Sequence, residues 1–395
     1  MNYNFDNYPE VDRSNFLRYN PVFLKTIFGR TDTLPFWVAD TDFLVMPELI
    51  QALEDRAKTG LFGYETKSPS LKKLLSQWYE SRYEIRLHPK KVLFMPSVNS
   101  SIAAIIDEFT IPGEGVIIQP PVYQVFKDII DSLEREVINN PLVLNDNHYE
   151  IDFDDLERKA QSPSAKIFLL CSPHNPVGKV WNEDELRKIA RICAENELLL
   201  ITDEIHGDIV YKPSKYIGML NVYKEFGNNI IMVSSTGKTF GMPGLIDSFI
   251  FSPNSDYHGA LKKRIERFHL DKSNAFANTA WEVVYEHGHD WLEQMTTYLK
   301  GNVDYISDYL ENNLDVVKLP KPEGTYQIWL DFNGLNLTNE ELASFLAKDA
   351  GIALNQGYTY GPGGDGFMRM NIASPRKMIV QAMEQLKEAH DKRFG

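Results

Sequence analysis

Five apolar runs in the middle of the chain are continuous and do not alternate with polar residues. Segments with apolar residues at helical spacing come after several of them, such as SSIAAIIDEF after the first run and NEDELRKIARICAEN after the third. Strands that are buried on both faces have this composition, so the pattern predicts a parallel or mixed sheet covered by helices. The predicted strands are KVLFM (91–95), GVIIQ (115–119), KIFLLC (166–171), ELLLIT (197–202) and NIIMVS (229–234).

The last third of the chain has a different pattern. Helical periodicity covers about 276–313, and two strand-like runs come next, GTYQIWLDF (324–332) and FMRMNIA (367–373), with a helix between them and a helix after Pro375. This mixture predicts a smaller α+β domain, whereas residues up to about 45 are irregular and rich in proline and aromatic residues. We therefore predict an N-terminal segment (1–45) that joins the small domain, a large domain (46–285) and a small C-terminal domain (286–395).

Composition and charge narrow the class of protein. The chain has 395 residues, of which 43% are hydrophobic, as expected for a globular protein with a substantial core. The formal net charge of −14 argues against nucleic acid or an anionic membrane as the partner. No apolar run approaches the roughly 20 residues of a membrane span, the N-terminus lacks the layout of a signal peptide, and Cys171 and Cys193 make no disulfide framework. We expect a soluble cytoplasmic protein.

A polar or aromatic group comes after each predicted strand. Ligands of open α/β sheets bind beyond the carboxyl ends of the strands, so these groups are expected at one edge. Taken singly, each has an ordinary explanation, such as a helix cap or a core aromatic residue, but together they predict one pocket. The groups are an anion site where Ser97, Val98 and Asn99 open a helix, the ring of Tyr123, the amide of Asn175, the carboxylate of Asp203, and Lys238 after Ser235.

Two other interpretations of these residues are disfavoured. The tripeptide Gly237-Lys238-Thr239 resembles the end of a phosphate-binding P-loop, but the first glycine of that motif would fall on Met232. Asp203, His206 and Asp208 supply donor types that suit a metal, but strand–turn geometry would not direct all of them at one centre. We therefore predict no metal site.

The converging groups match the chemistry of pyridoxal 5'-phosphate, a phosphorylated aromatic cation that is bound through an amine. Its phosphate suits the helix N-terminus with Ser235, and its ring suits stacking on Tyr123. Its 3-oxygen can accept a hydrogen bond from Asn175, and its ring nitrogen can pair with an anionic Asp203. Its aldehyde suits a covalent bond to Lys238, so the residues predict pyridoxal phosphate as the cofactor.

Motifs along almost the whole chain are similar to those of one known family. They are LPFWVADTDF (34–43), LFGY (61–64), PPVYQVF (120–126), CSPHNPVGKVW (171–181), TDEIHGDIVY (202–211), GKTFGMPGL (237–245), PEGTYQIWLDF (322–332) and GFMRMNIASPR (366–376). The chain resembles the fold-type-I pyridoxal-phosphate enzymes, and more narrowly the cystathionine β-lyase branch (C–S lyases of the MalY/PatB type) of the class-I/II aminotransferases. The resemblance implies an α/β fold with a mostly parallel sheet between helices, a smaller α+β domain, and a homodimer with shared active sites.

The resemblance also implies roles for single residues. Lys238 would bind the cofactor aldehyde and later remove the Cα proton of an amino-acid substrate, Asp203 would pair with the pyridine nitrogen, and Tyr123 would stack on the ring. The remaining implied contacts are Asn175 and His206 at the 3-oxygen, Ser97, Val98, Asn99 and Ser235 at the phosphate, Tyr64 of the neighbouring subunit at the same phosphate, Arg369 with Asn175 at the substrate carboxylate, and residues from Trp37 to Asp40 at the mouth.

Some positions depart from the family pattern and bear on the reaction. Gly237 stands where serine is usual, and Ile246 stands where many aminotransferases carry an arginine that binds the phosphate. The missing arginine favours β-elimination, which would release pyruvate, ammonia and a thiol from L-cystathionine or a related L-cysteine S-conjugate. An aminotransferase is the alternative interpretation, and a regulatory protein that keeps the fold is a remote one.

Overall fold

A computed structural model of the chain describes residues 1–245, 247–272 and 274–395. None of the described helices is long and apolar enough to cross a membrane. The strands are β1 (Leu34–Pro35), β2 (Val92–Met95), β3 (Gly115–Ile118), β4 (Glu136–Asn139), β5 (Leu142–Asn145), β6 (His148–Ile151), β7 (Ala165–Cys171), β8 (Leu199–Asp203), β9 (Ile230–Ser234), β10 (Ser248–Phe251), β11 (Gln327–Asp331), β12 (Ile352–Ala353), β13 (Asn355–Gln356) and β14 (Phe367–Asn371). The α-helices are α1 (Pro21–Phe28), α2 (Pro47–Lys58), α3 (Pro69–Tyr83), α4 (Val98–Phe109), α5 (Val125–Ser132), α6 (Phe153–Ala160), α7 (Glu183–Glu195), α8 (Met219–Tyr223), α9 (Thr236–Thr239), α10 (Ser255–Phe268), α11 (Ala275–His287), α12 (His289–Asn313), α13 (Asn339–Ser344) and α14 (Arg376–Phe394).

The centre of the described fold is a seven-stranded sheet in the order β2-β10-β9-β8-β7-β3-β4. Strands β4, β3, β7, β8 and β9 are parallel, whereas β10 is antiparallel to both of its neighbours. The apolar runs of the sequence form β2, β3, β7, β8 and β9, so the prediction of a mostly parallel sheet with flanking helices is confirmed. Strands β4 and β10 are not among the predicted strands.

Strand β7 shows why the central runs are continuously apolar. Ile167 and Leu169 belong to an apolar cluster on one face, together with Ile105 of α4. Phe168 and Leu170 belong to a different cluster, which contains residues of α7. Because successive side chains point to opposite faces, both faces of the strand are covered, and each such side chain stabilises the fold by about 1.5–3 kcal/mol.

The last third forms a second, antiparallel sheet in the order β11-β14-β13. The two predicted strands of this region are present as β11 and β14. The predicted continuous helix over about 276–313 is instead two helices, α11 and α12, which meet at Gly288. A Cβ at Gly288 would overlap the ring of Phe240 and the carbonyl oxygen of Val284, so the chain passes too close there for a side chain.

The largest apolar cluster connects all three predicted segments of the chain. It contains Phe5 from the N-terminal segment, Phe249 from the central sheet, and Leu330 from the antiparallel sheet. The segments therefore share buried surface, and their boundaries at 45 and 285 stay a prediction.

Candidate active site

A cavity of about 260 Å³ lies at the edge of the central sheet where the parallel strands end. The strand register aligns Asp203 with Cys171 of β7 on one side and with Val233 of β9 on the other. Residues that come after five different strands therefore meet, as the sequence predicts. The cavity is lined by Ala39, Ser97, Val98, Asn99, Tyr123, Cys171, Asn175, Asp203, Ile205, His206, Ser235, Gly237, Lys238, Pro243, Leu245 and Asp247.

Lys238 enters the cavity from α9, a single helical turn that is capped by Ser235. The Ser235 hydroxyl accepts a hydrogen bond from the N–H of Gly237 at 3.1 Å, and the Lys238 amine donates to the carbonyl of Ala39. Burial, together with the positive charge of Arg369, lowers the pKa of Lys238 from 10.5 to about 8. About one chain in ten would then carry a neutral amine at pH 7, a far larger share than for an exposed lysine.

Asp203 is the last residue of β8 and lies in the interior of the central sheet. It is 4% exposed, and its Oδ1 accepts a hydrogen bond from the N–H of Ile205 at 3.1 Å. Burial raises the pKa of this carboxyl to about 7, although the hydrogen bond and the charge of Lys238 oppose the shift. A cation in the cavity would stabilise the buried carboxylate, so the position fits a protonated ring nitrogen.

His206 also lines the cavity. Burial, with the positive charges of Lys238 and Arg369, lowers its pKa to about 3, so the imidazole is neutral. The buried Nδ1 of His206 has no hydrogen-bond partner among the residues that the structure describes. A buried polar atom in a cavity wall normally has a partner, so this nitrogen fits a bound polar group.

The first turn of α4 forms another part of the wall. Ser97 caps the helix, because its hydroxyl accepts a hydrogen bond from the N–H of Ser100 at 3.1 Å. The N–H groups of Val98 and Asn99 come too early in the helix to have an intrahelical acceptor, and both residues line the cavity. Because these N–H groups carry partial positive charge, this end of the cavity fits an anion such as a phosphate.

The ring of Tyr123 is held between polar and aromatic neighbours. Its hydroxyl accepts a hydrogen bond from the side-chain amide of Asn99 at 3.5 Å, and its ring centre is 5.8 Å from that of Phe126. Burial raises the pKa of Tyr123, so the phenol is neutral. A neutral ring that is fixed in a cavity wall can stack on a planar ligand.

Arg369 reaches Asn175 from the antiparallel sheet. Arg369 is 3% exposed, and its Nη1 donates to Oδ1 of Asn175 at 3.4 Å. Its Nη2 donates to the carbonyl of Trp37 at 2.8 Å and to Oδ1 of Asn355 at 2.9 Å. The buried Nε of Arg369 has no hydrogen-bond partner within the described part of the chain. A fixed guanidinium with an unsatisfied donor suits a carboxylate ligand.

The predicted mouth residues take different positions. Ala39 lines the cavity, whereas Trp37 does not. The indole of Trp37 donates to the carbonyl of Arg18 at 3.1 Å, and its backbone carbonyl meets Arg369. The side chain of Trp37 is therefore placed to fix the segment that carries Ala39, and the structure does not bring it to the cavity.

Tyr64 is the most exposed of the predicted site residues. It is fully exposed, next to the exposed side chains of Leu61 and Phe62, and does not line the cavity of its own chain. Its contact with the phosphate site of a neighbouring subunit stays a prediction. Ile246, which bears on the choice between lyase and aminotransferase, lies outside the described residues.

Asp208 is separated from the other donors of the alternative metal interpretation. Its carboxylate accepts hydrogen bonds from Nε1 of Trp78 at 3.1 Å and from the hydroxyl of Thr239 at 2.9 Å, and it does not line the cavity. Asp203 and His206 do line it. Within residues 1–245, 247–272 and 274–395, no group of three or more His, Cys, Asp or Glu side chains could hold a metal ion.

Asp247 lines the cavity but is not among the predicted site residues. Its carbonyl accepts a hydrogen bond from the hydroxyl of Ser235 at 2.7 Å. Asp247 directly precedes β10, which is antiparallel to β9, so the amino end of β10 lies at the edge where the parallel strands end. Asp247 could be predicted as a site residue only if the sequence were first seen to form strand β10.

The chain matches the family described as aminotransferase class I and II over residues 32–386. It belongs to this family. Among similar curated proteins, cystathionine beta-lyase PatB of Bacillus subtilis (strain 168) is 35% identical over 92% of this chain and 94% of its own length. Protein MalY of Escherichia coli (strain K12) is 32% identical over 91% of this chain and 92% of its own length.

Solved structures agree with the sequence relatives. Cystalysin from Treponema denticola, whose crystal structure contains a pyridoxal 5'-phosphate cofactor, has a TM-score of 0.95, is 30% identical, and aligns with 99% of this chain and 100% of its own. The PLP-bound C–S lyase from Staphylococcus hominis has a TM-score of 0.90, is 27% identical, and aligns with 100% of both chains. The predicted fold type I is therefore confirmed.

Proposed function

We propose that this chain is a pyridoxal-phosphate-dependent C–S β-lyase that cleaves L-cystathionine or a related L-cysteine S-conjugate. The products are pyruvate, ammonia and a thiol, which is homocysteine when cystathionine is the substrate. The observation that carries the pyridoxal-phosphate part of the proposal is that Lys238 and Asp203 line one cavity with their pKa values shifted towards each other, to about 8 and about 7. Perturbed groups in one cleft are typical of active sites. The choice of a C–S β-lyase is supported by relatives named cystathionine beta-lyase, whose alignments cover 90% and 92% of this chain.

The residues of the cavity fit the cofactor. The first turn of α4 and Ser235 would hold the phosphate, and Tyr123 would lie against the ring. Asp203 would pair with the ring nitrogen, and Lys238 would bind the aldehyde. The amide of Asn175 would donate to the remaining oxygen, and the unsatisfied Nδ1 of His206 fits a further polar contact there. When bound, the cofactor withdraws electrons from the substrate's Cα and so acidifies its proton.

The protein's own groups bind the substrate and move the proton. The guanidinium of Arg369, held by the carbonyl of Trp37 and by Asn355, would bind the α-carboxylate through its remaining donor capacity. The Nζ of Lys238, released when the substrate amine takes its place at the aldehyde, would take the Cα proton, which its lowered pKa permits near neutral pH. Departure of a thiolate from Cβ completes the elimination, and water then hydrolyses the enamine that is left to pyruvate and ammonia.

An aminotransferase remains the second candidate, because the family includes both reactions by name. The two reactions share binding and proton removal and differ in their later steps. A lyase releases a thiol and pyruvate, whereas an aminotransferase needs a 2-oxo acid to accept the amino group. The same cavity can therefore support either reaction, and product analysis separates them.

L-cystathionine provides the direct test of the reaction. We expect purified protein with added pyridoxal phosphate to release a free thiol and pyruvate in equal amounts, measured with a thiol reagent and with lactate dehydrogenase. Lys238→Ala should abolish both signals, whereas Lys73→Met, which changes an exposed lysine of α3, is the control and should leave both signals unchanged. Amino transfer to an added 2-oxo acid without thiol release would contradict the lyase assignment.

We also propose that the active unit is a homodimer with shared active sites. The support is the exposed loop with Leu61, Phe62 and Tyr64, an apolar and aromatic patch that a second copy would cover. If Tyr64 acts in the partner's site, mixing Tyr64→Ala chains with Lys238→Ala chains should give activity above the sum of the two separate preparations. No gain after verified subunit exchange would contradict shared sites. The cytoplasmic location stays a prediction.

A further inference from the structure

A buried ion pair includes Asp247, a residue of the cavity wall whose backbone carbonyl is hydrogen-bonded to Ser235. The ammonium of Lys67 contacts Oδ2 of Asp247, and the two side chains are only 5% and 3% exposed. Oδ1 of Asp247 accepts a hydrogen bond from the N–H of Ser248 at 3.0 Å. The pair joins the loop before α3 to the start of β10, and Asp247 itself forms part of the cavity wall.

The charges at the cavity raise a problem for an anionic ligand. Among the described lining residues, the charged groups are Lys238, Asp203 and Asp247, with His206 neutral. The proposed covalent bond would use the amine of Lys238, and Arg369 lies beside Asn175. A phosphate dianion held by α4 and Ser235 would therefore lie near Asp247, whose carbonyl is hydrogen-bonded to Ser235, and its carboxylate would repel the dianion unless a cation offsets it.

Lys67 is placed to provide this cation. Its Nζ lies 4.8 Å from the ring centre of Phe94 and 5.3 Å from that of Trp281, so aromatic rings flank the ammonium in addition to Asp247. Cation–π contacts favour the protonated amine, whereas burial lowers the pKa of Lys67 to about 7. A second anion nearby would favour the protonated form further.

We propose that Lys67 is a positioning residue for the cofactor phosphate, because its charge offsets Asp247 and keeps the phosphate end of the cavity from being net negative. The inference rests on the proposed function, since pyridoxal phosphate supplies the dianion. It assigns to Lys67 a role that depends on the phosphate group and not on the ring or the aldehyde.

Binding of two cofactor forms to protein stripped of cofactor tests this role. Pyridoxal 5'-phosphate and pyridoxal, which lacks the phosphate, are compared by equilibrium dialysis and by tryptophan fluorescence. Lys67→Met should raise the dissociation constant of pyridoxal phosphate about tenfold or more and change that of pyridoxal less than about threefold. Lys67→Arg keeps the charge and should stay within about threefold of the wild type. Lys73→Met, which changes the exposed lysine of the neighbouring helix α3, is the matched control.

The double variant Lys67→Met/Asp247→Asn guards against a folding defect, because it removes both charges together. We expect it to recover pyridoxal phosphate binding to within about threefold of the wild type. Equal weakening of both cofactor forms in Lys67→Met, no weakening of either form, or a double variant as weak as the single one would overturn the inference. A wild-type protein that binds neither form would instead overturn the proposed function, and this inference with it.

Discussion

The substitution Asp203→Asn removes the charge of a buried carboxylate. Its effect on the free energy of unfolding can be measured without cofactor, apart from the proposed role of Asp203 at the ring nitrogen. The pKa of Asp203 rises from 3.8 to about 7 because burial disfavours the charged form. Between these two pH values the folded state binds more protons at this site than the unfolded state, so stability falls as pH rises through the window. Well above pH 7 the full penalty is present, on the order of 4 kcal/mol.

Asparagine has no charge to bury at any of these pH values. Its oxygen can still accept from the N–H of Ile205, which lies 3.1 Å from Oδ1 in the wild type. Its new amide donors cost about 1–3 kcal/mol if they stay unsatisfied, and this cost does not depend on pH. We therefore expect the unfolding free energy of Asp203→Asn, minus that of the wild type, to grow by about 3 kcal/mol from pH 5 to pH 8.

Urea unfolding of both proteins without cofactor, at pH 5 and at pH 8, measures this change. The exposed Asp315→Asn is the control for the substitution itself. The Asp203→Asn variant should also bind pyridoxal phosphate weakly and lose lyase activity, since the amide cannot stabilise a cationic ring nitrogen as a carboxylate does. A free-energy difference that is the same at both pH values would refute the claim that Asp203 is a buried acid with a raised pKa.

Two further substitutions test the substrate site and the core packing. Arg369→Lys should lower kcat/KM for L-cystathionine by about tenfold or more, mainly through a higher KM. The reason is that the single ammonium group of lysine cannot keep the contacts to Trp37 and Asn355 and also bind a carboxylate. Steady-state kinetics measures this effect, and an unchanged KM would contradict it. Gly288→Ala should lower the unfolding free energy by about 1–3 kcal/mol, because the added Cβ would overlap the ring of Phe240; a urea midpoint equal to that of the wild type would contradict this expectation.

Much of the fold can be predicted from local patterns. A strand that is covered on both faces must be apolar along its length, so β7, β8 and β9 are visible as runs in the sequence. Residues at the end of such a strand, or a few positions beyond it, lie at the ligand-binding edge, which is why Asp203 and Lys238 are predictable from position alone. Arg369 has no such signal, and only the family resemblance predicts it at the substrate carboxylate; its contact with Asn175 is known from the structure alone.

Contacts between distant segments explain what local patterns miss. Lys67 and Asp247 are 180 residues apart, and neither stands in a motif that indicates the other. The need for glycine at position 288 has a similar cause, because the ring of Phe240 that leaves no room for a side chain comes from another part of the chain. Apolar periodicity within one segment contains no information about such distant neighbours. It therefore predicts one continuous helix across position 288, where tertiary packing requires a glycine.

The bond between Lys238 and the cofactor is the central claim, and chemical trapping tests it most directly. The protein is loaded with pyridoxal phosphate, reduced with borohydride, digested, and analysed by mass spectrometry. We predict that one peptide, the one that contains Lys238, carries the reduced cofactor in near-stoichiometric amount. Modification scattered over exposed lysines, or none at all, would contradict the account.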